Sequence, residues 1–411
     1  MQRRLVEGSP REPRQTGPNL LGGIAMKTQL VIAGAASGAA LLLSAGAAHA
    51  QGCVAVRPMA CASGYAGASS GLLMQGDWQF SSSYQYFRSF RHFRGDHEES
   101  HRVDEGTEVV NINHSTDLGL TYGLTDRVAL RLDVPLIYYD RSSLYEHYGN
   151  GLDRNPAQAR FHTGAQGLGD VRLSASYWAF DPMSFPTGNV SFGLGLKAPT
   201  GDSEVQDTFH RMAADGSDST FTRAVDQSIQ LGDGGWGFVL QTEGYRSLFH
   251  RTALSFSGFY LFNPREVNDV PHSVADQYFA RAGLDYSVLP QHGLSASLGG
   301  RVEGIPSEDL IGGSDGRRRP GYVISLEPGL SYRYDTLDFS LNVPVALYRN
   351  RTQSVSDKQR TVERGEWVQG DAAFADYLVN FTVSMRFGGV HHAMDPMDGV
   401  ETIDSTISVE E

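Results

Sequence analysis

From Gln75 onward, hydrophobic and polar residues alternate with a period of two in run after run. In the last run, Tyr377, Val379, Phe381, Val383, Met385 and Phe387 share one face. Asp376, Asn380, Thr382, Ser384 and Arg386 share the other, and only Leu378 is out of place. Such alternation predicts a strand with one apolar and one wet face. Eleven earlier runs carry the same signal: Trp78–Phe90, Val110–Tyr122, Val128–Tyr138, Val171–Tyr177, Val190–Ala198, Trp236–Thr242, Leu254–Phe262, Tyr278–Val288, Leu294–Val302, Tyr322–Tyr332 and Phe339–Leu347. About twelve strands result, with no helical period of comparable strength.

The connections alternate in length. Short ones fall at Leu124–Asp126, Asp181–Gly188, Arg246–Arg251, Pro290–Gly293 and Asp335–Asp338. Long polar ones fall at Arg94–Thr107, Arg141–Gly167, Thr200–Val225, Asn263–Gln277, Pro306–Gly321 and Asn350–Gly370. A soluble sandwich with crossing connections gives no reason for this alternation. An outer-membrane barrel does, with short periplasmic turns and long extracellular loops. The fold expected is therefore all-β: a transmembrane, antiparallel, up-and-down β-barrel of about twelve strands. Its apolar face meets lipid, so charges on the other face must meet a polar lumen. Those charges are Arg127, Arg131, Asp133, Arg172, Lys197, Glu243, Arg281, Asp285, Arg301, Glu303, Glu327, Arg333 and Arg386. They either line a path for polar solutes or form an ion-paired filling that closes a narrow barrel.

Composition is compatible with this reading. The 411 residues carry a formal charge of −13, and 20% are charged, with a mean hydropathy of −0.30. No run after residue 50 approaches the ~20 apolar residues of a membrane helix. The acidic balance argues against nucleic acid as a partner. Residues 1–25 read as an extension before the true start. Met26-Lys27 then opens a secretory signal, 26–50, with an apolar core and a small-x-small end at Ala48-His49-Ala50. Gln51 is the expected mature N-terminus. Residues 51–74 form a small-residue linker, 75–387 the barrel and 388–411 an acidic tail. Cys53 and Cys61 read as one small disulfide loop in an oxidising periplasm, with a metal pair or a lipid-modified cysteine as the alternatives.

Two resemblances extend the picture. The final strand resembles the closing strand of bacterial outer-membrane barrels, which typically ends in Phe as a signal to the assembly machinery; Phe387 occupies that place. Tyr122-Gly123-Leu124-Thr125-Asp126-Arg127, Leu132-Asp133-Val134-Pro135, Gly167-Leu168-Gly169-Asp170-Val171 and Gly195-Leu196-Lys197-Ala198-Pro199-Thr200-Gly201-Asp202 resemble a family of outer-membrane putative transporters labelled "meta-pathway of phenol degradation". The resemblance spans roughly Gln75 to Phe387. It implies passage of small, often aromatic or apolar compounds.

Signatures of other chemistry are weak. No nucleotide or cofactor motif is present, and none is expected to be used. Gly201-Asp202-Ser203 sits in a polar loop without the strand-to-helix setting of a hydrolase serine. His92, His97 and His101, with Glu98, Glu99 and Asp104, either hold a divalent cation or are solvated loop residues; no metal ligand is assigned. Pro135, Pro199 and Pro344 point inward by strand parity, late in their strands. They mark a constriction at the outer mouth or bulges that shape the rim. Gly169-Asp170 reads as a turn. The loop Arg141–Gly167 is the candidate to fold over the mouth. The function expected is a monomeric outer-membrane passive channel for small molecules, not an enzyme. Its expected partners are outer-membrane lipid and lipopolysaccharide, small-molecule solutes and the barrel assembly machinery. A structural or surface-interaction barrel with a blocked lumen is the alternative, and an outer-membrane hydrolase a third.

Overall fold

The computed structural model describes residues 72–388. The signal segment, Cys53, Cys61 and the tail beyond Gly388 lie outside the described residues. In chain order the strands are β1 (Trp78–Arg94), β2 (His97–Glu98), β3 (Val110–Thr125), β4 (Val128–Ser143), β5 (Phe161–Leu168), β6 (Arg172–Trp178), β7 (Gly188–Lys197), β8 (Gln206–Met212), β9 (Asp218–Ala224), β10 (Gly237–Phe249), β11 (Thr252–Phe262), β12 (Gln277–Leu289), β13 (Leu294–Ile305), β14 (Gly321–Tyr334), β15 (Leu337–Asn342), β16 (Val345–Arg351) and β17 (Ala372–Phe387).

Neighbouring strands pair antiparallel, and β17 returns to β1 in a register running from Trp78 opposite Phe387 to Phe93 opposite Ala372. The sheet therefore closes. Two of its members are broken in the middle. β4 pairs with β6 through Asp133 and with β5 from Leu136, so β5 and β6 are successive halves of one wall strand. β15 and β16 stand in the same relation along β14. With each broken pair counted once, and the short β2 and the separately paired β8 and β9 set aside, the described residues form a twelve-stranded barrel.

Proline explains both breaks. A residue in a strand points its N–H and C=O at the same neighbour. The Pro135 carbonyl accepts from Gly169 N, between β5 and β6, and that of Pro328 from Val343 N, between β15 and β16. Each proline's missing donor thus falls where the neighbouring ladder is interrupted. Pro344 occupies the second break itself and accepts from Leu378 N. Pro135 and Pro344 consequently sit at mid-height as buried bulge-makers, not late in the strands at the outer rim. Pro199 follows the end of β7.

The wall is inverted relative to a soluble protein. In β3, Asn111, Asn113, Ser115 and Asp117 are at most 4% exposed, whereas outward Leu120 is 38% exposed. Outward leucines and aromatics on the other strands, such as Leu132, Phe192, Phe238, Leu298 and Phe381, are exposed in the same way. A continuous apolar band around a polar interior suits a hydrocarbon surrounding and greatly exceeds the exposed apolar patches of soluble monomers. No helix among the described residues is long and apolar enough to cross a membrane.

The five short turns lie at one end and six long connections at the other. Two of those connections are more ordered than alternation suggests. Residues 161–168, expected within a loop, are the wall segment β5. Its polar and small residues, His162, Gly164 and Gln166, carry no apolar alternation. The connection after β7 contains the β8–β9 hairpin. β7 stops at Lys197 while β4 and β5 run on, so the outer half of β5 is met by this hairpin; Asp207 accepts from Gly164 N at 2.8 Å.

Candidate functional site: a paired lumen and a basic mouth

Opposite charges inside the barrel meet both along and across strands. On β4, Arg131 contacts Asp133 at 2.9 Å and donates to the hydroxyls of Thr121 on β3 and Ser81 on β1, each at 3.0 Å. Its guanidinium lies across Gly119, where a Cβ would collide with it. Arg172 on β6 binds Asp117 on β3 at 3.0 Å. On the far wall Arg281 reaches Glu327 at 3.5 Å and Ser257 at 2.9 Å. Arg301 binds Glu303 at 2.7 Å, lies 3.8 Å from Glu327 and covers the Phe279 ring. Glu243 on β10 is within electrostatic reach of both Arg131 and Arg281. Asp285 accepts from Ser255 at 2.6 Å. The Arg301, Glu303 and Glu327 side chains are at most 3% exposed. Taking such charges out of water offsets most of their attraction, yet removing one partner costs about 3–5 kcal/mol.

The other predicted lumen charges sit nearer the ends. Arg333 binds Asp338 at 2.7 Å, and Arg386 lies 3.8 Å from the same carboxylate, close to the β14–β15 turn. Arg127 donates to the carbonyls of Trp178 and Ala179 and stacks over Tyr177. That places it at the short-turn rim and not on the lumen wall, because it follows the β3–β4 turn directly. Lys197 ends β7 bound to Asp233 and 3.8 Å from Asp170. Phe387 is outward-facing, opposite Trp78 in the closing register.

The loop-end half of the lumen is occupied by part of the connection after β7. Val225, Ile229 and Leu231 pack on Ile137, Tyr139 and Ala165 of the wall, and Ile229 has no exposure. Polar bonds hold this plug. Asp170, expected in a simple turn, accepts from Gly201 N and Asp233 N and so ties the connection to the β5–β6 break. Asp202 O receives Leu231 N and Gly232 N. Gly201-Asp202-Ser203 is thus a fastening of the inward segment. Asp226 caps the short turn Gln227–Ile229 through Ser228 N. It also accepts both terminal nitrogens of Arg319 at 2.6 Å and lies 3.6 Å from Arg141. Burial opposes its charge, but Arg141 and Arg319 hold the carboxyl well below the usual range. The plug comes from residues 225–233, whereas the connection between β4 and β5 is partly wall.

A cavity of about 670 Å³ lies at the loop end. Its lining includes Arg141 and the run Arg317, Arg318, Arg319. Helix Val355–Arg364 shapes one side. Ser354 and Asp357 form a reciprocal capping box at its start, which turns Asp357 onto Arg351 at 3.1 Å and Arg360 at 2.6 Å. On another side His92 accepts from Val109 N at 2.8 Å and meets Asp371 at 3.0 Å. Burial works against Asp371, yet the His92 bond and Arg102 pull its carboxyl down to about 2. This commits His92 to structure. Among the described residues no group of three His, Cys, Asp or Glu side chains converges as a metal site. A smaller cavity, about 100 Å³, lies on the lumen side of the plug against Arg172, Lys197 and Ser228.

The sequence pattern missed the mouth because its residues lie in loops without period. Two signals were available: three consecutive arginines in an acidic chain, and Ser354-x-x-Asp357 as a helix start. Asp117 and Asp338, partners of predicted charges, stood on inward positions or at a turn.

No family model and no curated protein matches the chain. Among solved structures it is similar to an outer membrane channel from Pseudomonas putida F1, at 16% identity and TM-score 0.48, over 77% of this chain and 97% of that one. It is also similar to the Pseudomonas putida toluene transporter TodX, at 13% identity and TM-score 0.40, over 81% and 94%. The monoaromatic hydrocarbon channel CymD aligns at 10% identity and TM-score 0.41, over 79% and 92%. These are distant likenesses; the fold rests on the pairing of this chain's own strands.

Proposed function

We propose that this chain is a bacterial outer-membrane barrel giving small molecules passive passage. One observation carries the reading. The mouth cavity and the lumen cavity are separated by a single layer of side chains. Arg141, lining the first, donates at 3.3 Å to Ser228, lining the second. That layer joins Arg141 of β4 to a loop segment outside the barrel ladder, which ion pairs, hydrogen bonds and the packing of Val225, Ile229 and Leu231 hold in place. Displacement of that loop segment would join the two spaces. Aromatic or apolar solutes are the class suggested by the sequence resemblance. The barrel acts as a monomer in contact with outer-membrane lipid and lipopolysaccharide, delivered by the assembly machinery through its closing strand. The predicted inner charges, Arg131 to Arg301 among them, would set which solutes pass.

A second reading has its own support. The paired girdle around Glu243, Arg281, Arg301 and Glu327 fills the middle of the lumen, as a structural barrel would. Liposome swelling separates the two. Vesicles holding the refolded protein should admit small solutes such as glycine or phenol faster than empty vesicles. Equal rates with folded barrel present would favour the structural reading.

A further inference from the structure

We infer that the mouth cavity is a binding site for a compact organic anion, one with an oxyanion head and an apolar body. The inference deepens the passage reading by naming the class of solute captured at the loop end.

The charge balance points this way. Arg102, Arg141, Arg318, Arg319 and Arg360 line the cavity. Their carboxylate partners are, in that order, Asp371, Glu146 with Asp226, Asp309, Asp226 again, and Asp357. Arg351 shares Asp357, and Arg317 lines the cavity as an exposed seventh. Seven guanidiniums thus meet five carboxylates (7 − 5 = 2), a local surplus of two positive charges in a chain of formal charge −13. A concave basic site of this kind concentrates anions.

Arg351 supplies the second, independent observation. Its side chain is 3% exposed and its Nη2 is given to Asp357. Its Nε and Nη1 are buried with no acceptor among the described residues. Buried guanidinium donors left unpaired are costly, and each can give a charge-assisted hydrogen bond to a carboxylate or phosphate oxygen. The lining also includes the Tyr145 ring and the aliphatic stems of the arginines, besides the nearly fully buried Val109, Ala372 and Ala373. Inorganic anions gain nothing from that face, whereas an organic body does.

The test uses the refolded chain in detergent, with calorimetry at low chloride and benzoate, acetate, benzyl alcohol and inorganic phosphate as probes. Benzoate should bind more tightly than acetate, which lacks the body, and than benzyl alcohol, which lacks the charge. Arg351→Gln should weaken benzoate about tenfold or more, one charge-assisted contact. Arg317→Gln, at an exposed position that threatens the fold less, should weaken it severalfold. Arg154→Gln, on the exposed β4–β5 connection, should leave binding unchanged. Equal affinity for benzoate and benzyl alcohol, tighter binding of phosphate than of benzoate, or benzoate affinity unchanged in both Arg351→Gln and Arg317→Gln would overturn the inference. Solute passage without benzoate binding would also overturn it and leave the passage reading standing; binding without passage would support it and sink that reading alone.

Discussion

The layer between the two cavities hangs on Asp226, so Asp226→Asn is the sharpest perturbation of the plug. The carboxylate is 2% exposed, accepts two bonds of 2.6 Å from Arg319 and lies 3.6 Å from Arg141. An amide keeps the shape and the bond to Ser228 but removes the buried charge that Arg319 and Arg141 share, while Arg141 retains Glu146. Loss of one partner of a buried pair costs about 3–5 kcal/mol. Opening the plug lets both arginines reach water, so that cost shifts the equilibrium toward the open form. With about 1.4 kcal/mol per tenfold, the open fraction should rise roughly a hundredfold to a few thousandfold, up to saturation. Single-channel recording of wild type and variant reads this as open probability, and the heat-dependent gel shift of barrels confirms that both are folded. An open probability unchanged within a factor of two would refute the view that this ion-pair cluster latches the plug.

Other consequences are open to direct measurement. Phe381→Arg places a charge on the lipid face at a cost of about 2–4 kcal/mol at mid-membrane, whereas Thr382→Arg points inward, where Thr382 bonds Ser83 at 3.0 Å. The first should lower the yield of folded barrel far more than the second; equal losses would mean that the facing is wrong. Arg172→Ala removes a fixed positive charge from the lumen wall beside Asp117, so reversal-potential measurements should show a shift toward cations. His272, on the β11–β12 connection, lines the smaller cavity together with Ser228 of the plug; burial, with help from Arg317 and Arg319, pushes its imidazole down to about 4, against a smaller opposing pull from Asp226. The ordinary value is about 6.5, so the closed loop holds its stability above that pH and loses it as pH falls toward 4. Open probability should rise across that window on acidification, and a flat profile would count against it. We also expect Cys53 and Cys61 to be joined, since only a short loop separates them; intact mass should increase by two hydrogens on reduction, and two free thiols would contradict this.

The barrel was legible in the sequence because lipid-facing residues must be apolar whatever their neighbours, as the β17 run from Tyr377 to Phe387 shows. That constraint also revealed the exception, Leu378, which is 3% exposed and points inward. β5 escaped notice because it rises above the apolar band, where Phe161 to Leu168 face loops and water and need no alternation. The plug escaped for a different reason. Val225, Ile229 and Leu231 are spaced by a turn and a loop, and their burial depends on contacts with Ile137, Tyr139 and Ala165, more than fifty positions away. Inward charges were identifiable one by one, but their pairing across strands was not. Arg172 meets Asp117 across the β3–β4–β6 sheet, and only strand register brings them together. Arg127 had the right parity and the wrong height.

Current through single molecules in a planar bilayer tests the central claim most directly. The refolded wild-type chain should give small discrete steps, well below those of a general porin, because the paired girdle narrows the lumen. Replacing residues 226–235 by a short Gly-Ser linker should enlarge the steps and lengthen the open periods. Silence from both proteins, with folded barrel verified in each, would contradict passage through this lumen.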